Sequence, residues 1–274
     1  MTLRLAVAAL LCAVVPAVAA QPAGDALDGI DSVYSAYLRQ VAQRWVPAHP
    51  GSVEQTRDAG SGRDPGALAV VCVSTPGADR YVGMVQRQRI RAARVAVENV
   101  LDDVEHFKDL FPGTVSVQVL PGSLRVMEGA SPALRFDTAW VQRAPIFFLP
   151  EIRYELSHLV EKTAARAVYR YKLRRGDRLV ASDGLVVLEA IDAGTTQFTE
   201  YDFFNGQWGP LTTWLVWQES LKAAIQSDLA VRVKAEHPSW QDEQISSEAK
   251  REMLTESERA ARCFANRQPF RPSS

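Results

Sequence analysis

The amino-acid sequence predicts an α+β protein in which a curved antiparallel sheet wraps around one long C-terminal helix. Three observations point to this class. Between residues 115 and 204, stretches rich in β-branched and aromatic residues alternate with turn signals such as Arg175-Gly176-Asp177 and Asp192-Ala193-Gly194. After Pro210 the apolar residues Leu211, Leu215, Leu221, Ile225 and Leu229 recur at four- and six-residue intervals with Trp214 beside them, which predicts a helix of about six to seven turns opened by a proline. A wide antiparallel sheet must bury one face, and this helix is the element able to cross it.

In chain order, residues 1–20 read as a signal peptide: Arg4, the apolar run Leu5 to Val15, then Pro16-Ala17-Val18-Ala19-Ala20. Cys12 lies inside that run behind Leu11, which does not suit lipid attachment. An exported protein, periplasmic or secreted, is expected. Residues 21–66 predict an N-terminal helix and a flexible linker. Ile30, Val33, Tyr34, Tyr37, Leu38, Val41 and Trp45 share one helical face, and Pro47, Pro50, Gly51, Gly60, Gly62, Pro65 and Gly66 then oppose regular structure.

The main domain is placed at residues 67–236. It opens with strands at Leu68–Val73 and Tyr81–Ile90 and helices at Ala92–Leu101 and Val104–Leu110, the second stopped by Phe111-Pro112-Gly113. Strands follow at Val115–Leu120, Leu134–Val141, Ile152–Val160, Arg166–Leu173, Arg178–Ala190 and Thr195–Phe204. Sequential strands of this length form an antiparallel meander. Residues 237–274 read as a C-terminal extension, a charged helix from Asp242 to Cys263 and an irregular tail from Arg267 to Pro272.

Composition narrows the function. Lysine plus arginine total 31 against 32 aspartate plus glutamate, which disfavours indiscriminate nucleic-acid binding, and 47% hydrophobic residues are too many for a chain disordered throughout. No run after the leader reaches the roughly 18 apolar residues of a membrane span. Cys72 and Cys263 either form one long-range disulfide in an oxidising compartment or remain two unrelated thiols. The sequence contains no Gly-x-Ser-x-Gly, no His-Glu-x-x-His and no phosphate-binding glycine loop, so no cofactor and no metal are implied.

The stretch Val95-Ala96-Val97-Glu98-Asn99-Val100-Leu101-Asp102-Asp103-Val104-Glu105-His106-Phe107-Lys108-Asp109-Leu110-Phe111-Pro112-Gly113 resembles the paired short helices of the START-like superfamily, the helix-grip proteins. Ala193-Gly194-Thr195-Thr196, the strand to Phe204 and Gly209-Pro210-Leu211 resemble its last hairpin and the start of its long helix. The resemblance runs from about Tyr81 to Ala235. It implies a hydrophobic cavity and a lipid, sterol, isoprenoid or polyketide-like ligand, and it does not imply catalysis.

Period-two counting supplies candidate lining residues. In Ile152–Val160 the apolar face carries Tyr154 and His158. In Arg166–Leu173 it carries Tyr169 and Tyr171, and in the last strand Phe198 and Phe204 oppose Tyr201 and Phe203. His158 reads as a core histidine satisfied by a tyrosine or a carbonyl, as a ligand-orienting group, or as a general acid/base. Trp208 and Trp214 flank the entry to the long helix, and Phe147 and Phe148 form the apolar tip of a proline-bracketed loop suited to a cavity mouth. Arg87, Arg89, Arg91 and Arg94 form a basic cluster that either meets anionic headgroups or is a solvated strand face.

The expected function is non-catalytic binding of a hydrophobic small molecule in the cell envelope, extending to its transport or sensing, with peripheral membrane contact as a further expectation. A polyketide cyclase/dehydratase-like enzyme and an envelope interaction protein without ligand are the alternatives.

Overall fold

The computed structural model describes residues 69–74, 82–128, 133–144, 149–208, 213–265 and 268–269. The expected leader, N-terminal helix and linker, the Phe147-Phe148 tip and Pro210 lie outside these residues.

Strands β1 (Ala69–Ser74) and β2 (Val82–Ile90) come first. Helix α1 (Arg94–Asp102), a 3-10 turn at Val104–His106 and the short helix α2 (Phe107–Leu110) follow. Then come β3 (Thr114–Val119), β4 (Arg125–Met127), β5 (Ala133–Gln142), β6 (Ile152–Lys162), β7 (Arg166–Gly176), β8 (Leu179–Asp192) and β9 (Thr195–Gly206). The chain ends in α3 (Thr213–Glu236), α4 (Asp242–Ala265) and β10 (Gln268–Pro269).

The sheet order is β10-β1-β2-β9-β8-β7-β6-β5-β3, with β4 on β5, so β5 to β9 form the expected meander and β2 pairs with its last strand. Every pairing is antiparallel except β1 with β10. The tail was expected to be irregular. Two of its residues instead pair with Val73 and Ser74 at the sheet edge, because an open edge offers unpaired backbone groups to any extended segment that reaches it. The three residues of β4 were too short to show a period.

Apolar spacing in α1, the 3-10 turn and α2 buries Val97, Val104, Phe107 and Leu110. Gly113 then takes φ +75°, a conformation that costs glycine little, and its carbonyl accepts the Arg143 N–H at 2.8 Å. This is the physical content of the Pro-Gly pair: it turns the chain from α2 into β3 and ties that corner to the end of β5.

Helix α3 differs from the one-faced helix expected. Leu215 is 38% exposed, whereas Trp217, Leu221, Ile225, Leu229, Ala230 and Val233 are buried, as is Val231, which packs in a separate cluster with Ile90, Val186 and Phe198. The reason is α4, which covers the side of α3 away from the sheet. Ile245, Ala249 and Met253 pack with Ile225, Leu229, Ala230 and Val233 in one cluster. A helix held between two layers has apolar residues around most of its circumference. Arg232 pairs with Glu252 across the α3–α4 interface.

Where α4 begins, His106 Nε2 lies 3.0 Å from Asp242 Oδ1, and Lys234 Nζ lies 3.4 Å from the same oxygen. Partial burial pushes the Asp242 carboxyl up, but the His106 hydrogen bond and the His106 and Lys234 charges outweigh it and hold the pKa below the usual 3.8. A lowered carboxyl pKa stabilises the fold above about pH 4 and loses that contribution as pH falls through the folded value. Asp242→Asn is therefore expected to flatten the acid side of a melting-temperature profile between pH 5 and 3. A variant profile parallel to the parent's would remove this role.

Candidate functional site

Between the inner sheet face, α1, α2 and α3 lies a cavity of about 470 Å³, within the range of small-molecule sites. Its position follows from the sequence. The meander supplies a broad face, α3 spans only part of it, α1 packs over β8 and β9, and the 3-10 turn with α2 closes the side next to β5 and β6. Two environments line it.

The first is apolar and aromatic. Phe107, Phe136, Trp140, Leu156, His158 and Tyr154 line the end formed by β5 and β6. Phe107 stacks on Phe111 at 4.4 Å between centroids, and Trp140 stacks on Tyr154 at 5.9 Å with planes 6° apart. His158 stacks on Phe136 at 4.7 Å. Its Nε2 meets the Thr138 hydroxyl at 2.8 Å, and that hydroxyl also accepts the Trp140 Nε1–H at 2.8 Å. The partner is thus a threonine one strand away, at the position diagonal to His158, rather than the tyrosine or carbonyl expected. Burial lowers the His158 pKa to about 4 against the smaller opposing pull of Asp137, so the imidazole is neutral at physiological pH.

The second environment is acidic. Tyr171 on β7 lies opposite Gly184 on β8, and Gly184 lies opposite Asp202 on β9. With no side chain on Gly184, the Tyr171 ring crosses it: a Cβ built there would sit 2.3 Å from the Tyr171 hydroxyl. That hydroxyl donates to Asp202 Oδ1 at 2.8 Å and lies 3.3 Å from Glu200 Oε1. Glu200 hydrogen-bonds with Asp228 on α3, and Gln86 Nε2 donates to Glu200 Oε2 at 3.4 Å. The Gln88 side chain donates to the Asp228 carbonyl at 2.9 Å. Burial, and then the Asp202 charge, push the Glu200 carboxyl up to about 8. Burial and the Glu200 charge push Asp228 up as well. Tyr154 and Tyr171 are raised by burial and by Asp202, so neither ionises at ordinary pH.

Of the residues singled out in the sequence, Tyr154, His158, Tyr169, Tyr171 and Trp208 line this one cavity. Tyr169 also turns its hydroxyl outward, donating to Asp102 Oδ1 at 3.1 Å, and Lys162 pairs with the other oxygen at 2.6 Å. Asp102 is therefore more than a helix-end residue, for it joins α1 to β6 and β7. Trp208 lies on Gly206, where a Cβ would meet its Nε1 at 2.3 Å. Trp214 belongs to α3, but its side chain, like those of Cys72 on β1 and Cys263 on α4, lies outside the described ones. α4 lies against β1, so the backbones carrying the two cysteines belong to neighbouring elements. Phe147 and Phe148 are outside the described residues, while Arg143 and Ala144, which lead to them, line the cavity. The arginine cluster is divided: Arg94 pairs with Glu98 at 2.7 Å and caps the carbonyls of Thr163 and Ala164, and Arg87 donates to Thr199.

Sequence reasoning missed Glu200, Asp202 and Asp228. A signal was present. Counting by two from Phe198 to Phe204 passes through Glu200 and Asp202, and Asp228 sits three residues after Ile225 on the buried side of α3.

No protein-family model matches the chain, and no curated protein sequence matches it. Solved structures similar to it include the Zhui aromatase/cyclase from Streptomyces sp. R1128, at 16% identity over 69% of this chain and 99% of that one, TM-score 0.39. The STAR-related lipid transfer protein fragment from Xanthomonas axonopodis is 17% identical over 63% and 99%, TM-score 0.40. Human STARD10 is 11% identical over 82% and 84%, TM-score 0.40. The fold itself rests on the chain's own topology: an antiparallel sheet with β2 paired to β9, two short helices after β2 and a long helix across the inner face make it an α+β helix-grip arrangement.

Proposed function

We propose that the protein binds a hydrophobic small molecule of lipid, sterol or isoprenoid type without transforming it, and carries or senses it in the cell envelope. The observation that carries this reading is the cavity of about 470 Å³, whose wall is mostly aromatic and aliphatic. Moving an apolar ligand from water into such a space is favourable by about 25 cal/mol per Å² buried, before ordering costs are subtracted. The few polar groups in the wall then orient the ligand.

His158 supports binding over acid/base chemistry. A general acid or base works best with a pKa near the operating pH, whereas His158 is neutral, lowered to about 4, and already engaged by Thr138. The envelope location rests on the leader sequence alone. Peripheral membrane contact would use the Phe147-Phe148 tip, whose approach through Arg143 and Ala144 runs along the cavity wall.

Organic extraction of gently purified protein followed by mass spectrometry should yield one apolar compound class in near-stoichiometric amount. The stripped protein should bind a neutral apolar fluorophore. A protein that is reproducibly empty and also leaves the fluorophore in water overturns the reading.

A further inference from the structure

The apolar cavity ends in carboxyl groups, which is an expensive place to put them. Glu200 and Asp202 come from β9 and Asp228 from α3, and all three line the cavity. Asp228 is 5% exposed, and its Oδ2 has no hydrogen-bond partner. Among the described residues no lysine or arginine pairs with Glu200 or Asp228. The cations of the same wall are Arg143, at the end of β5, and Lys222, whose Nζ is 2.7 Å from Glu219. A buried carboxyl with an open oxygen and no counter-charge costs stability unless something occupies it. The neighbouring groups do not fill that role: Tyr171 donates one proton, shared between Asp202 and Glu200, and Gln86 donates to Glu200. What Glu200 and Asp228 lack among the described residues is a donor with positive charge, placed where the aromatic ring of Tyr171 also faces the cavity.

We propose that this acidic end is a headgroup subsite for a monocationic amphiphile, a molecule with an amine or ammonium group on an apolar body. The group would sit against Asp228 Oδ2 and the Glu200 carboxylate while the body fills the aromatic end between Phe136, Trp140 and Tyr154. The inference rests on the hydrophobic-ligand reading above and adds the charge of the ligand to it. Protons and charge balance simply. Burial raises both the Glu200 and the Asp228 carboxyl, so the pair carries protons near neutral pH in the empty protein, and an entering cation displaces one of them, which leaves to solvent as the carboxylate forms.

The test is displacement of a neutral apolar fluorophore from the full-length protein at pH 7.5 by n-decylammonium, n-decanol and decanoate, which share one chain and differ in the head. Decylammonium is expected to displace at about tenfold lower concentration than either of the others, the size of one charge-assisted contact in a dry site. Its calorimetric binding enthalpy should shift with the ionisation enthalpy of the buffer, reporting proton release, and that of decanol should not. In the Glu200→Gln/Asp228→Asn double variant the ammonium preference should fall to within about threefold while decanol binding persists, which also shows that the variant is folded. Equal or weaker displacement by decylammonium, with the fluorophore and decanol still bound, overturns the cationic subsite and leaves the hydrophobic-ligand reading standing. An ammonium preference that survives in the double variant also overturns it. Failure of the fluorophore itself to bind overturns both.

Discussion

Gly184→Ala is expected to destabilise the protein by about 3 kcal/mol or more, as read from urea unfolding, and to close the acidic end of the cavity. A methyl group at this position would lie 2.3 Å from the Tyr171 hydroxyl, 2.4 Å from its Cζ and 2.5 Å from the Tyr201 carbonyl oxygen. The tyrosine can rotate away, but doing so breaks its 2.8 Å bond to Asp202 inside a buried cluster. The carbonyl belongs to β9, paired to β8 on one side and β2 on the other, and it cannot move without disturbing both ladders. Gly206→Ala is the instructive contrast. There the close atoms all belong to the Trp208 side chain, at the edge of the cavity, and a rotated tryptophan relieves the contact. Its cost should be well under that of Gly184→Ala, with ligand access altered more than stability. Equal costs for the two variants would show that the Tyr171 crossing and the β9 backbone do not constrain position 184.

Glu200→Gln is expected to stabilise the protein above neutral pH. The Glu200 carboxyl is raised from 4.5 to about 8 in the fold. Between those values the folded state holds a proton that the unfolded chain has released, so stability falls as pH rises through this window. Asp228, also raised, adds to the same slope. His158 acts in the opposite sense. Its pKa is lowered from 6.5 to about 4, so stability is lost as pH falls below 6.5. The two slopes oppose one another below pH 6.5, and only the carboxyl slope remains above it. Stability should therefore fall most steeply above pH 6.5, Glu200 alone contributing a loss of about 2 kcal/mol between pH 6.5 and 8.5 at 1.36 kcal/mol per pH unit for one proton. Glutamine keeps acceptor and donor capacity toward Tyr171 and Gln86 but has no charge to desolvate. The variant's profile should lose the Glu200 share of this slope and sit about 4 kcal/mol above the parent at pH 8.5, with little difference at pH 5. Parallel profiles for parent and variant would mean that Glu200 is not the group whose proton the fold retains.

Most of the elements were legible because each buries one face in a regular period. Alternation in Ile152–Val160 and Arg166–Leu173 placed Tyr154, His158, Tyr169 and Tyr171 on the inner side of β6 and β7, and all four line the cavity. The Phe-Pro-Gly stop after α2 was legible because only glycine takes φ +75° cheaply, a property of the residue and not of its surroundings. Helix α3 was legible as a helix, yet its exposed side was not, because the packing of α4 against it decides which residues see water.

The acidic end was hidden for a different reason. Glu200 and Asp202 occupy inward positions by simple alternation, but a charged residue within a strand reads as solvent-facing unless its neighbours across the sheet are known. Those neighbours are distant in sequence: Tyr171 is thirty-one residues before Asp202, and Asp228 is brought in by α3. The same is true of His158, whose partner Thr138 lies twenty residues away on β5.

The sequence by itself determined the strand and helix periods, the turn residues and the apolar inner face, since these depend on interactions within a few residues and on the need to bury one side of each element. Only the tertiary structure decided where α3 leaves the sheet uncovered, which carboxyls meet in the buried cluster, and that a missing side chain at Gly184 lets Tyr171 reach them. Those outcomes depend on distances between residues far apart in the chain, and no local pattern encodes such distances.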